Sequence, residues 1–383
     1  MKKHTLLLAA VGFLIFIGGF FSRVYFSNIH EERSKTAKFA PKLERAPLPK
    51  QKPKIEQAQQ NVLIGYVQDF RDPDSVDYSK LTHVIFSFAH PTKDGRLLFH
   101  GETAMTNLRG MIEKAHQQNK KAILAVGGWY HIQGGESYEY FKAAISNPTS
   151  RTTLINELVD ITEREGLDGI DIDFEHPRSK EDAENLAAFT KTLSEKLHAK
   201  DKELSAAVYA KVHSVTGTEI TAVVYEPNMF QHLDYVNIMA YDGQWDGEYN
   251  AANLSPYSFS ENVVNYWSNL FETHGLSKEK LVLGVPFYAQ PEDVSIKQVS
   301  YAAIVNSSPE NAERDTVNMN GTTYHYNGMT TIQKKTKLAL EHGFGGMMLW
   351  EAGHDSLGPH SLTGAILEVL EEEGNNQKQY TRR

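Results

Sequence analysis

Cysteine is absent from all 383 residues. Its absence excludes disulfides, thiolate metal sites, iron–sulfur clusters and a cysteine nucleophile. Basic residues are outnumbered: 39 Lys and Arg against 48 Asp and Glu leave a formal net charge of −9. Without a long Lys/Arg block in the part that folds, such a chain is a poor nucleic-acid binder. No G-x-G-x-x-G follows the first candidate strand, which weakens a dinucleotide-binding reading, and no internal repeat points to a solenoid. The 40% hydrophobic and 23% charged content rules out a wholly disordered chain, a collagen and a polytopic membrane protein. The length allows two small domains or one large one, and an α/β barrel alone uses roughly 250 residues.

Two features precede the region that folds. Lys2, Lys3 and His4 are followed by an apolar run from Leu6 to Phe21 and then by Arg23. A basic start before such a run reads as an export signal, cleaved or retained as an anchor. The run is long for a signal core and short of the ~20 residues of a spanning helix, but Val24, Tyr25 and Phe26 extend it. No small-residue cleavage site follows, which favours an uncleaved anchor at 1–27, with possible membrane anchoring through residues 6–26 and an extracytoplasmic location, tethered or secreted. Residues 28–60 hold Lys35, Lys38, Lys42, Arg45, Lys50, Lys52 and Lys54 together with Pro41, Pro47, Pro49 and Pro53. This composition buries too little apolar surface to offset ordering entropy and reads as a linker.

From about 61 to 372, short β-branched runs alternate with helical patterns. The runs are 62–67, 82–88, 122–126, 169–174, 204–208, 235–239, 281–285 and 346–349. Between them Met105/Leu108/Ile112/Ala115, Leu154/Leu158/Ile161 and Leu186/Phe189/Leu193/Leu197 recur at helical spacing. Ser258-x-x-Glu261 has the form of a capping box opening a helix with Val263, Trp267 and Leu270 on one face. Eight strand-then-helix units predict an α/β protein, a (β/α)8 TIM barrel, against the rival of an open doubly wound sheet. The longest interval, before the eighth strand, predicts a short insertion at about 291–326, and residues 373–383 read as a polar tail.

The most informative segment is Asp168-Gly-Ile-Asp171-Ile-Asp173-Phe-Glu175. Strand side chains alternate between faces, so Asp171, Asp173 and Glu175 share one face, and Ile170, Ile172 and Phe174 the other. In a barrel the apolar face meets the helices, so the three acids point inward. Three adjacent carboxyls in a poorly solvated interior repel one another, and at least one must have a raised pKa. That arrangement costs stability and points to chemistry. Glu175 lies nearest the C-terminal end of its strand, where barrels of this type carry their active sites, and a glutamic acid there is suited to protonate a leaving oxygen. A metal site is the alternative reading of a carboxylate cluster, but the segment lacks the glycine and spacing of an EF-hand loop.

These residues resemble a family. DGIDIDFE reproduces the D-x-x-D-x-D-x-E signature of glycoside hydrolase family 18, the chitinase family. Ala125-Val-Gly127-Gly128-Trp129-Tyr130 is similar to its third-strand segment, Met239-Ala-Tyr241-Asp242 to its sixth, Gly284-Val-Pro-Phe-Tyr288 to its seventh, and Gly345-Gly-Met-Met-Leu-Trp350-Glu351 to its eighth. The resemblance covers most of residues 61–352. It implies a retaining hydrolase of N-acetylglucosamine-containing glycans in which the substrate's own acetamido group is the nucleophile. Glu175 is then proton donor and general base, Asp173 orients the acetamido group, Asp171 shares a proton with Asp173, and Tyr241 hydrogen-bonds the acetamido carbonyl. Asp242, His176 and Met239 contact the sugars, Trp350 floors the reacting subsite, and Gly127 to Tyr130 meet the adjacent sugar. The partner implied is such a glycan, with no nucleic acid, cofactor or metal.

Aromatic placement agrees: Trp129, Trp245 and Trp350 each follow a strand, on the rim where sugar rings would stack, whereas Trp267 falls mid-helix on an apolar face and reads as core. Tyr66, ending the first strand, either reaches Asp171 or fills the barrel. His354 and Asp355 read as loop residues. Two departures stand out. The family's Ser before x-G-G is Ala125, so Asp171 is expected to rely on Tyr66, water or Asp173. The common Gly-Arg after the seventh strand is Ala289-Gln290. With a short insertion, these predict a shallow cleft suited to chitin oligomers, peptidoglycan-type glycans or N-glycan cores.

Overall fold

The computed structural model describes residues 61–380, with side chains to 374. The proposed anchor at 1–27 and linker at 28–60 lie outside the described residues. Among the described residues no helix is long and apolar enough to cross a membrane.

Eight parallel strands close into a barrel: β1 (Val62–Gln68), β2 (His83–Pro91), β3 (Lys121–Gly127), β4 (Gly169–Asp173), β5 (Glu203–Tyr209), β6 (Tyr235–Met239), β7 (Leu281–Pro286) and β8 (Gly346–Trp350). Each pairs with the next, and β8 pairs with β1 through Val62–Gly346 to Gly65–Leu349. All eight strand expectations hold within a few residues. Alternation sorts the side chains. Val62, Ile64, Tyr66, Ile85, Ile123, Ala125, Val282 and Met348 fill the inside, while Leu63, Val67, Ile170, Ile172 and Phe174 join the larger core under the helices. The apolar set of β4 thus faces the helices, which turns its acids inward.

The helices are α1 (Gly101–Gln117), α2 (Tyr138–Ser146), α3 (Pro148–Glu165), α4 (Lys180–His198), α5 (Tyr257–His274), α6 (Tyr301–Ser307), α7 (Met329–Glu341) and α8 (Leu362–Tyr380). Eight strand-then-helix units is an overcount. The connections after β1 and β5 carry only 3-10 turns, Pro73–Ser75 with Tyr78–Lys80 and Pro227–His232. Both stretches are interrupted by proline, which cannot donate within a helix. After β3 there are two helices, separated where Asn147 caps Thr149 and Pro148 starts the second. The capping box fails too: α5 starts at Tyr257 after Pro256, with no side-chain cap, so Ser258 lies inside its first turn. Trp267 is buried core, its indole N–H donating to the Ala210 carbonyl at 3.1 Å.

The insertion begins earlier than expected, at Tyr288, directly after β7. It forms a four-stranded antiparallel sheet from 288–291, 299–300, 316–319 and 322–325, with α6 between. The last helix, α8, continues to Tyr380, into the stretch read as a polar tail. Asp355 is more than a loop residue: its carboxylate accepts from the Leu362 and Thr363 amides at 2.8 and 3.0 Å and caps α8.

Candidate active site

The row of acids on β4 is graded in depth. Asp171, the deepest, is fully buried. Its Oδ2 accepts from the Tyr66 hydroxyl at 2.7 Å, and its Oδ1 from Ser205 Oγ at 2.6 Å and Asn237 Nδ2 at 3.1 Å. Burial raises its pKa to about 6, and the bonds from Ser205, Tyr66 and Asn237 hold it back. Tyr66 therefore does reach Asp171, while its ring packs on Trp350 at 5.7 Å. Asp171 does rely on Tyr66, as expected, but it also has two donors the sequence reading did not name, Ser205 and Asn237. In register, Ala125 on β3 and Ser205 on β5 flank Asp171 on its two sides, so the hydroxyl absent on one neighbour is supplied by the other. Asn237 adds a second donor from β6. Sequence reasoning missed both residues, although each is the one polar side chain inside its apolar run, LSAAV and YVNIM.

Asp173 is buried one step nearer the rim, and its Oδ1 has no hydrogen-bond partner. Burial, then the charge of Glu175, then that of Asp171 push its pKa well up. The backbone beside it admits no side chain. The Gly128 N–H donates to the Asp173 carbonyl at 3.0 Å, and a Cβ on Gly127 would lie 2.1 Å from that oxygen. The two glycines let β3 close against β4 at the level of the acids.

Glu175 lies two residues beyond the end of β4 and is half-buried. Burial, reinforced by Asp242, raises its pKa to about 8, so it holds a proton at neutral pH. His176 Nδ1 lies 3.7 Å from its Oε2, and the imidazole packs on Trp129 and Tyr209 at 5.0 and 4.9 Å. Tyr225, also missed by the sequence reading, donates to the Glu175 carbonyl at 3.2 Å. A small open recess lies beside Glu175, walled by Gly128, Trp129, Tyr138 and Arg178 among others.

Across the barrel mouth, β6 ends at half-buried Met239, and Tyr241 and Asp242 follow. Tyr241 is buried, its hydroxyl 3.9 Å from Met348 Sδ. Burial and the nearby carboxylates keep that phenol protonated and able to donate. Asp242 accepts from Tyr288 at 2.6 Å and Gln244 at 3.1 Å. Protein around it raises its pKa, those two bonds resist the rise, and its exposure to cleft water tempers it. Trp350 is half-buried, with Phe88 stacked on it at 5.8 Å. Arg71 pairs with buried Glu351, Nε lying 3.0 Å from Oε1, and ties the β1 loop to the end of β8.

Trp129, Tyr130 and Trp245 stand on the rim, 51%, 54% and 43% exposed. Trp245 packs on Tyr249 at 4.8 Å, and the Tyr249 hydroxyl donates to the Pro291 carbonyl of the insertion. The structure thus brings Tyr66, Asp171, Asp173, Glu175, Tyr241 and Asp242 to one barrel mouth, with His176 against the acid and the tryptophans around it. Among the described residues no group of three or more His, Cys, Asp or Glu side chains is placed to hold a metal ion.

The comparisons with known proteins agree with this geometry. Over 378 residues the chain is 27% identical to Chitinase 1 of Aphanocladium album, covering 82% of this chain and 84% of that protein. It is 30% identical over 242 residues to a chitinase-like effector of Moniliophthora roreri, covering 58% of this chain and 56% of that protein. In fold it is similar to a chitinase from the chitin utilization locus of Flavobacterium johnsoniae, with a TM-score of 0.68 at 24% identity, covering 82% of this chain and 95% of that one. The profile of the glycosyl hydrolases family 18 matches residues 62–355, a span that begins with β1 and ends beyond β8. The chain belongs to that family and is a glycoside hydrolase.

Proposed function

We propose that the protein hydrolyses β-1,4-linked N-acetylglucosamine chains, such as chito-oligosaccharides, with retention and by substrate-assisted catalysis. One observation carries this reading: of three inward acids, only Glu175 is open to the cleft, its pKa raised to about 8 by burial and Asp242, while beside it Asp173 holds a buried oxygen with no partner. Glu175 gives its proton to the glycosidic oxygen as the bond to the anomeric carbon breaks. The acetamido carbonyl oxygen of the same sugar closes on that carbon. Asp173 Oδ1 accepts the acetamido N–H, orienting the group and stabilising the positive charge that develops on it. The Tyr241 hydroxyl donates to the carbonyl oxygen. Glu175, now ionised, takes a proton from water as it opens the oxazolinium from the face the leaving group vacated, and the product keeps its β configuration.

Trp350 supplies the apolar floor for the reacting ring, Gly127–Tyr130 and His176 border the adjacent sugar, and Asp242 with Met239 lies against the opposite edge. The apolar run before the barrel supports a further proposal, that residues 1–27 tether the enzyme to a membrane with the barrel outside the cytoplasm.

The test is turnover of chitotetraose and chitohexaose, with early product read by proton NMR, beside purified peptidoglycan glycan strands and N-glycan cores. Early β product supports the reading. Early α product overturns the mechanism. Turnover confined to peptidoglycan or N-glycan cores moves the substrate class. Binding without turnover turns the barrel into a glycan-binding module.

A further inference from the structure

We infer that His131 is a positioning residue: held as one neutral tautomer, it clamps the rim hairpin that presents Trp129 and Tyr130 and so sets affinity for the sugar on that side of the cleft. The inference rests on the proposed function only for the identity of the ligand.

The hairpin runs from 129 to 137. Ser137 N donates to the Trp129 carbonyl at 2.9 Å, Tyr130 and Glu136 form a lone antiparallel bridge, and His131 N donates to Gly135 O at 2.9 Å. Its turn uses two glycines with positive φ, Gly134 at 99° and Gly135 at 84°. A two-stranded hairpin this short has no stability of its own, yet it carries two large aromatics that are more than half exposed. Something must hold it, and His131 is the fully buried member.

The imidazole lies flat on Tyr140 of α2, with ring centroids 3.6 Å apart and planes 3° from parallel. The His90 ring meets its edge at 5.4 Å from the end of β2. Both ring nitrogens are committed. The Gln133 backbone N–H donates to Nδ1 at 3.1 Å, so Nδ1 carries no proton. Nε2 lies 3.1 Å from the Pro91 carbonyl, which only accepts, so Nε2 carries it. One bond closes the hairpin's turn and the other fastens the hairpin to the strand end of the barrel. The surroundings oppose a second proton. Burial lowers the His131 pKa, His90 is itself pushed down to about 4 by burial and by His131, and Lys93 Nζ sits 5.3 Å over the Tyr140 ring against which His131 stacks. Among the described residues no carboxylate is bonded to the imidazole.

His131→Phe keeps a flat ring on Tyr140 and deletes both hydrogen bonds. Tyr140→Phe keeps the stack and deletes only a long contact of 3.5 Å from its hydroxyl to Gly134 O. The expected result for His131→Phe is a KM for chitohexaose about three- to tenfold higher, the size of one or two neutral hydrogen bonds, with kcat within about twofold. In a Glu175→Gln background, quenching of tryptophan fluorescence by chitohexaose should weaken by the same factor. Tyr140→Phe should leave both unchanged. An unaltered KM in folded, active His131→Phe overturns the inference, as does an equal loss in kcat. Nitrogen-15 NMR of the unmutated protein tests it without turnover or folding of a variant. His131 must be the neutral Nε2–H tautomer from pH 6 to 8, and a protonated or Nδ1–H imidazole overturns the clamp. Inactivity of the unmutated enzyme on every N-acetylglucosamine glycan would instead sink the proposed function while leaving this NMR result standing.

Discussion

Exchanging the hydroxyl that steadies the deepest acid from one strand to another should move, and then restore, the pH–rate profile. Asp171 is ionised against the cost of full burial by three donors, and Ser205 contributes the shortest of them at 2.6 Å. A hydrogen bond to a charged group is worth ~1.5–3 kcal/mol, or about one to two pKa units. Tyr66 and Asn237 remain in Ser205→Ala and can tighten, so the lower end applies. The sign follows directly. Donors favour the carboxylate, so losing one raises the Asp171 pKa from about 6 toward about 7. The acidic limb of kcat/KM, which reports the last carboxylate of the row to be protonated, should then move to higher pH by about one unit. Ala125→Ser in the same chain places a hydroxyl on the other side of Asp171, in register on β3, and the double variant should return the limb to its original place. Ala125→Ser alone adds a fourth donor to a satisfied carboxylate and should shift the limb down by well under one unit. The assay is initial rates on an aryl chitobioside from pH 3 to 9. A Ser205→Ala limb that superimposes on that of the unmutated enzyme, or a double variant that stays displaced, refutes the reasoning.

The remaining predictions concern the donor and the N-terminus. Glu175→Gln should lose ~10²–10⁴-fold in kcat with the fold intact, and near-normal turnover would remove the assignment. Because burial and Asp242 raise Glu175 from the ordinary 4.5 to about 8, its stabilisation is complete below about 4.5 and lost as pH rises through about 8. Glu175→Gln should therefore be more stable than the unmutated protein at pH 8.5, by on the order of a few kcal/mol, and so melt higher there, while the two melt alike at pH 4; equal Tm values at both would contradict the shift. For the same reason kcat/KM should fall as pH rises through about 8, and a thiazoline analogue of the oxazolinium should inhibit competitively. Deletion of residues 1–27 should release a soluble and active enzyme, whereas a mature N-terminus just after Phe21 in the culture medium would mean a cleaved signal.

Residues 169–175 carried much of the site in one dimension. Alternation along a strand is a covalent property, so Asp171, Asp173 and Glu175 had to share a face, and Ile170, Ile172 and Phe174 on the other face decided which way that face pointed. The eight apolar runs, the helical spacing of Leu186, Phe189, Leu193 and Leu197, and the mid-helix place of Trp267 are equally local, which is why strands, helices and core were legible. Local signals failed where neighbours outvoted them: Ser258 and Glu261 have the form of a cap, yet the turn at Pro256 starts the helix one residue before Ser258. What no local pattern contains is which strands stand side by side. Ser205 and Asn237 reach Asp171 from 34 and 66 residues away, the barrel register set Ser205 opposite Ala125 across that acid, and His131 meets the Pro91 carbonyl across 40 residues. Hydrogen bonds over such separations exist only after chain closure has fixed the register, so the identity of the acids was determined by the sequence, and their protonation and the clamp on the rim by the folded barrel.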